Sequence, residues 1–471
     1  MVWDFTKYKE HIALQDDTGE CITYGQLKAA GEDIAEKIGQ RCLVFSLCSN
    51  TIGSVLGYTA CLQHDIVPLL LSSHMDEELL KALLDEYHPS FVWCPADNNY
   101  MEKSSAAKKV FEAYRYALYE CAVGQKAKLY EELGLLLTTS GSTGSPKLVR
   151  QSYKNIAANA DQIARYLELD ETERPITTLP MNYTYGLSII NSHLLVGATI
   201  LLTDYGLMQK EFWQFLKSAE ATSFGGVPYT YEMLDKLRFF RMDLPGLRYM
   251  TQAGGKLSPE LHRKFAEYAE QSGKKFIVMY GQCEATARMS YLPAEKSLEK
   301  YGSMGIAIPD GTFSLIDVNG QVIEEAGKVG ELVYEGSNVT LGYAEHIADL
   351  SLGDERHGRL ETGDMAKRDA DGYYYIVGRK KRFLKVYGNR VNLDEIDMMV
   401  KNEFGNVDCV TAGRDDHVCV FLTDESLVDS VRHYVADKTK LNIAAFHVKV
   451  LKEIPKNESG KVQYSELEQY Y

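Results

Sequence analysis

Apolar and polar positions follow two periods along the 471 residues, and the periods change in blocks. Ile12 to Leu14 and Cys21 to Thr23 read as two strands around the turn DDTGE, and Tyr24 to Ile38 carries apolar residues near helical spacing. A strand and helix rhythm follows. CLVFSLC (42–48), IVPLLL (66–71) and FVWC read as buried strands, with helices over Gly53 to Gln63 and Asp76 to Glu86. Residues 96–131 are polar and helical in pattern, and the continuous apolar run Leu133 to Leu137 comes after them. Next come helices over 152–167, 185–196 and 209–219, alternating with strands over 176–179, 198–202 and 223–225.

From Gly311 the texture changes to short strands with turns (GTFSLIDVNGQVI, GELVYEG, GYYYIVG), which predicts an antiparallel subdomain. Amphipathic helices at 393–404 and 426–440, set between strands at 407–412, 417–423 and 446–451, end the chain in an α+β pattern. The expected fold is α/β, with a boundary at Gly378 to Lys381. Residues 1–378 form a large N-terminal domain of parallel sheets covered by helices, and residues 379–471 a small C-terminal domain.

Composition narrows the function. With 45% apolar and 25% charged residues the chain has ample material for a large core, which excludes global disorder. Lys and Arg number 51 against 66 Asp and Glu, a net charge of −15 that disfavours a general nucleic-acid binder. Nine cysteines without a C-x-x-C pair, and no basic segment leading into an apolar one at the start, predict a reduced, cytoplasmic protein. The longest apolar stretches, such as that around Leu194 to Leu202, are too short to cross a bilayer.

The segment LLLTTSGSTGSPK (135–147) is an apolar strand, a loop of small hydroxyl residues and glycines, a lysine, and then an expected helix. Such loops expose successive N–H groups and hydroxyls that can surround a phosphate. It is not a Walker A loop, because Lys147 follows Pro146 and precedes Leu148. Alone, it would read as a solvated turn. An ordered series accompanies it: LPMNYTYGLS (179–188), AGGKL (253–257), YGQCEATARM (280–289), GELVYEG (330–336), TGD (362–364), GRKKRFLKVYGNRVNLDEI (378–396) and PKNESGKV (455–462).

In this order the motifs resemble those of the adenylate-forming ligase superfamily: acyl- and aryl-CoA synthetases, peptide-synthetase adenylation domains and luciferases. The resemblance implies an enzyme that uses ATP and Mg²⁺ to convert a small carboxylic acid to an acyl-adenylate. The acyl group then passes to the thiol of CoA or of a carrier protein's phosphopantetheine. It also implies that the C-terminal domain is mobile. Thr139, Ser140, Gly141, Ser142, Thr143, Gly144 and Lys147 match the phosphate loop. Gly254, Gly255, Tyr280, Gly281 and Cys283 match nucleotide-binding segments, Glu284 the Mg²⁺-holding acid, and Asp364 with Arg379 the pair on the ribose hydroxyls. Lys461 matches the lysine that reaches the carboxylate and α-phosphate during adenylation, Lys381 the hinge, and Gly388 and Arg390 the element facing the thiol arm. Tyr183, Tyr185, Gly186 and Gly226 match the acyl pocket.

Four positions depart from the common pattern. Tyr183 stands where the superfamily usually has His, Cys283 where it has Thr, Leu148 where it has Gly, and the hinge is Lys381 where Asp is common. Gly186 takes the place at which amino-acid-activating members carry Asp, so a non-amino acid is favoured. The alternatives are transfer to an amine, a catalytically impaired nucleotide-binding scaffold, and a kinase or ATPase that would release ADP.

Overall fold

The computed structural model describes residues 2–104, 106–122, 128–138, 147–387, 389–405, 407–456 and 462–471, with the side chains of Lys381 and Arg390 left out. The described chain divides into two compact units. One holds residues 2–138, 147–313 and 334–360, and the other residues 314–333 and 361–471.

The first unit is built on two sheets with parallel centres. In one, the order is Gly342–Ala344, Leu148–Ser152, Leu133–Thr138, Val67–Ser72, Leu43–Cys48, Phe91–Pro95, Tyr116–Cys121, Ala107–Ala113. The three pairings among Leu133–Thr138, Val67–Ser72, Leu43–Cys48 and Phe91–Pro95 are parallel, and the outer ones antiparallel. Strand Leu43–Cys48 is buried at every position, as an apolar run interrupted only by Ser46 requires of a strand covered on both faces. The other sheet runs Ile306–Ala307, Arg288–Tyr291, Lys275–Gly281, Tyr249–Gln252, Ser223–Gly226, Pro175–Ile176, Ile200–Leu202, Ile12–Asp16, Cys21–Thr23. The inner faces of both sheets share one core with helices Ile52–Gln63 and Thr184–Val196, which are buried on nearly all sides. Gly57 permits this closeness, since a Cβ there would lie 2.2 Å from the Trp93 indole.

Two expectations for this unit are corrected. In place of a long helix, the described part of 96–131 forms the short helix Asn99–Lys103 and then the hairpin Ala107–Ala113 and Tyr116–Cys121 at the sheet edge. Its turn places Tyr114 and Arg115 at φ of 47° and 62°, a conformation usually announced by Asn or Gly, and neither is present. After the 135–147 segment the chain forms strand Leu148–Ser152 before helix Tyr153–Leu167 begins, with Leu148 wholly buried. Ser152 opens that helix with a capping box shared with Asn155.

Two buried histidines tie this unit to pH. His193 Nδ1 donates to Ile189 O at 2.7 Å and its Nε2 accepts from the Tyr249 hydroxyl at 2.9 Å. His262 Nδ1 accepts from Gly302 N at 3.1 Å and its Nε2 donates to Ser297 at 3.1 Å. Burial lowers both from 6.5, to about 3 for His193 and about 4 for His262. The unfolded chain therefore binds more protons, and the stability contributed by the neutral rings is lost as pH falls below about 6.5. Urea unfolding at pH 7 and pH 4.5 is expected to show the loss, and His262→Asn to reduce it; an unchanged pH dependence in that variant would contradict the assignment.

In the second unit, residues 329–333 of strand Val329–Glu335, residues 361–368 of strand Arg359–Arg368 and strand Tyr374–Arg379 supply most of a four-stranded sheet. Beyond it lie the hairpin Phe383–Val386 and Asn389–Asn392 and a three-stranded sheet, Cys409–Arg414, His417–Leu422 and Phe446–Val450. Helices Leu393–Glu403 and Val428–Thr439 contribute Ile396, Val400, Val431 and Val435 to its core.

Candidate active site

The YGQCE turn is the best-defined part of the site. Strand Lys275–Gly281 ends in a 3₁₀ turn, Cys283–Ala285, and Thr286 follows at φ 63°. That conformation is held by bonds on both sides: Thr286 Oγ1 donates to Asn338 O at 2.7 Å, and Thr184 Oγ1 donates to Thr286 O. Gly281 approaches the returning strand so closely that a Cβ would lie 1.8 Å from Ala287 O. Glu284 is half-buried. Its carbonyl accepts from Thr340 N at 3.0 Å, Thr340 Oγ1 at 2.9 Å and Arg356 Nη1 at 3.2 Å.

Its carboxylate accepts from the Tyr343 hydroxyl at 2.7 Å. Burial pushes the Tyr343 phenol above its ordinary value, which keeps it a donor. Arg356 lies 4.5 Å from the Tyr343 ring centre and Lys147 5.8 Å away, and Lys147 pairs with Glu345 at 2.5 Å. Lys147 and Glu284, distant in sequence, thus belong to one polar cluster around Tyr343. Sequence reasoning missed Tyr343, Thr340 and Arg356, because they lie between the matched motifs and reach the turn only through the fold.

A second corner lies beside the turn. Tyr183 immediately precedes helix Thr184–Val196, and Tyr185 meets it edge-on at 6.4 Å. Gly254, at φ 82°, leaves room for the Tyr183 hydroxyl, which would be 2.6 Å from a Cβ; Gly255 abuts Pro228. Cys283 adds to the burial that raises the Tyr183 phenol, placing thiol and ring in one neighbourhood. Tyr280 accepts from Gln282 Nε2 at 3.1 Å. The Tyr185 hydroxyl bonds Thr251 at 2.8 Å, and burial pushes its pKa to about 12. Gly186 and Gly226 serve close packing, since a Cβ at Gly186 would meet Pro180 O at 2.4 Å and one at Gly226 would meet Thr230 at 2.6 Å.

In the second unit, antiparallel pairing puts Asp364 directly opposite Arg379. The Asp364 side chain is 4% exposed and its Oδ1 lies 2.8 Å from Arg379 Nε. The TGD segment is part of strand Arg359–Arg368, with Gly363 at φ 70°. Of the basic run at 380–382, Lys380 pairs with Glu331 at 2.6 Å, and Arg382 is spent on Asp394 at 2.5 Å and Asp397 at 2.7 Å. Two of the three cations of that run are thus held in internal ion pairs. Thr139, Ser140, Gly141, Ser142, Thr143, Gly144, Gly388 and Lys461 lie outside the described residues, as do the side chains of Lys381 and Arg390.

No group of three His, Cys, Asp or Glu side chains among the described residues could hold a metal ion by itself. Glu284 offers one hard oxygen donor, which suits an Mg²⁺ carried mainly by nucleotide phosphates and water. No helix among the described residues is long and apolar enough to cross a membrane.

Comparison with known proteins agrees with this architecture. Residues 2–344 match the family model of the AMP-binding enzyme. Oxalate–CoA ligase of Arabidopsis thaliana is 28% identical over 72% of this chain and 67% of its own length. Sulfoacetate–CoA ligase of Cupriavidus necator is 28% identical over 70% and 65%. The chain thus spans about two thirds of the length of these relatives. Among solved structures, o-succinylbenzoate CoA synthetase (MenE) of Bacillus subtilis, in complex with its acyl-adenylate intermediate, superposes with a TM-score of 0.78 at 21% identity, covering 98% of this chain and 97% of the other. ATP-bound MatB of Rhodopseudomonas palustris gives 0.76 at 20% identity, covering 99% and 98%. These likenesses concern the fold, while the family match extends over most of the sequence: the chain belongs to the AMP-binding enzyme family.

Proposed function

We propose that this chain activates a carboxylic acid with ATP and transfers the acyl group to a thiol. The observation that carries the reading is the turn at Glu284, which holds an oriented carboxylate beside the Tyr183 and Gly254 corner in a chain of this family. One carboxylate oxygen of the acid attacks the α-phosphorus of ATP, the bond to the bridging oxygen breaks, and pyrophosphate leaves. The thiol then attacks the acyl carbon and AMP leaves. Adenylation makes an unreactive carboxylate electrophilic by giving it a good leaving group.

In this reading residues 139–144 and Lys147 hold the ATP phosphates, Gly254, Gly255, Tyr280, Gly281 and Cys283 border the nucleotide, and Asp364 with Arg379 receives the ribose hydroxyls. Glu284, oriented by its Tyr343 partner, would hold the nucleotide's Mg²⁺, which would supply charge neutralisation on the phosphates. Tyr183, Tyr185, Gly186 and Gly226 shape the acyl pocket, and the crowding at Gly186 leaves no room for an Asp that would bind an α-ammonium. Residues 379–471 form the mobile domain, turning about Lys381 to bring first Lys461 and then the thiol-facing Gly388 and Arg390 to the adenylate. CoA is the favoured acceptor, supported by its place in the relatives' names, with a carrier protein's phosphopantetheine as the other thiol. No disulfide joins any of the nine cysteines, which supports a reducing compartment such as the cytoplasm.

Incubation with ATP, an acid pool and CoA should release AMP and pyrophosphate; ADP and phosphate would instead mark a kinase or ATPase. Cys283→Thr replaces a weak S–H donor with a hydroxyl and is expected to speed adenylation about 3- to 10-fold. A slower variant would mean that the corner has adapted to sulfur.

A further inference from the structure

Among the described residues two arginines are buried, Arg150 and Arg288, and Arg382 is nearly so; one of the three is unlike the others. Arg150 lies against the Glu355 carboxylate and the carbonyls of Tyr343, Leu352 and Gly353. Arg382 is bracketed by two aspartates and the carbonyl of Thr411. Arg288 is only 2% exposed, yet no carboxylate among the described residues pairs with it. Its Nε donates to Ser188 Oγ at 3.0 Å, and its Nη1 lies 3.0 Å from the Tyr166 hydroxyl and 3.4 Å from Met279 Sδ. Nη2 has no hydrogen-bond partner among the described residues. A guanidinium carries five N–H donors and keeps its proton inside proteins, so an unpaired one in the core costs substantially unless an anion meets it.

The position of this charge gives it a purpose. Arg288 lies 5.2 Å from the Tyr185 ring centre and lines a small cavity with Gly225, Thr251, Ile189, His193 and Tyr249. The free volume there, about 10 Å³, takes about one water, so an anionic group reaches the guanidinium only as the lining gives way. The same Tyr185 meets Tyr183 at 6.4 Å, so two ring contacts connect Arg288 to the corner assigned to the acyl pocket. No acidic side chain competes for the guanidinium in this lining, and His193, neutral and bonded to Tyr249, adds no second cation.

We infer that Arg288 is a specificity residue for an acid substrate bearing a second anionic group, a dicarboxylate or sulfocarboxylate whose far end displaces water and pairs with Nη2. This inference rests on the ligase reading and names its substrate class. Its test compares matched acids, succinate with butyrate, adipate with hexanoate and 3-sulfopropionate with butyrate, in ATP–pyrophosphate exchange and in thermal-shift binding, using the full chain. The expected result is a preference for the doubly charged acids of about 100-fold or more in kcat/KM, lost in Arg288→Met and partly retained in Arg288→Lys. Arg288→Met should still exchange the singly charged acids, which shows that it is folded; Ser188→Ala, which loosens the guanidinium, gives a milder version of the same shift.

Exchange with singly charged acids that equals or exceeds that with their partners in the wild type would overturn the inference and leave the ligase reading standing. Absence of exchange with every acid, while doubly charged acids stabilise the wild type and not Arg288→Met, would remove the ligase reading and support the anion site. Absence of both exchange and stabilisation overturns both.

Discussion

Lys461→Ala is expected to slow acid-dependent adenylate formation about 100- to 1000-fold, while acyl transfer from a supplied acyl-adenylate to CoA stays within a few fold of wild type. The reason is where charge develops. As the acid oxygen bonds to the α-phosphorus, negative charge grows on the phosphorus oxygens and on the departing pyrophosphate, and a fixed ammonium there favours the transition state over the bound substrates. The thiol step forms and breaks bonds at the acyl carbon, after that charge has left with pyrophosphate. Single-turnover assays of each half-reaction read the two effects separately. Equal loss in both would contradict the role given to Lys461.

Gly281→Ala is expected to lower exchange about 100-fold and to destabilise the first unit by about 2–4 kcal/mol. The added methyl would overlap Ala287 O, a backbone atom that cannot rotate away. Either strand Lys275–Gly281 or the turn Cys283–Ala285 must move, and the turn carries Glu284. The bonds from Thr340, Arg356 and Tyr343 that orient Glu284 are then strained together. Urea unfolding with exchange kinetics tests this; wild-type stability and rate would contradict the geometry. Glu284→Gln should leave stability near wild type and lower only the rate, which separates loss of the turn from loss of its charge.

The parallel centres of both sheets could be read from the sequence because buried parallel strands are nearly unbroken apolar runs, as in Leu43–Cys48 and Val67–Ser72. The edges could not. Hairpin Ala107–Cys121 turns on Tyr114 and Arg115, residues with no turn preference, and its outer strand carries lysines and glutamate that imitate a polar helix. Asp364 and Arg379 were readable as a pair from motif order, and their antiparallel register supplies the contact. Tyr343 and Arg288 were not assigned roles. The first serves Glu284 from 59 residues away, and the second stands out only by having no carboxylate partner among the described residues, which local sequence does not display.

The central claim is that an acid and ATP combine at this site with release of pyrophosphate. Its most direct test is ATP–pyrophosphate exchange with a pooled panel of carboxylic acids, amino acids and diacids included, with Lys461→Ala as the blank. Exchange that depends on added acid and disappears in the variant is the predicted result. Measurable ATP binding with no exchange across the panel would contradict it and indicate a nucleotide-binding scaffold.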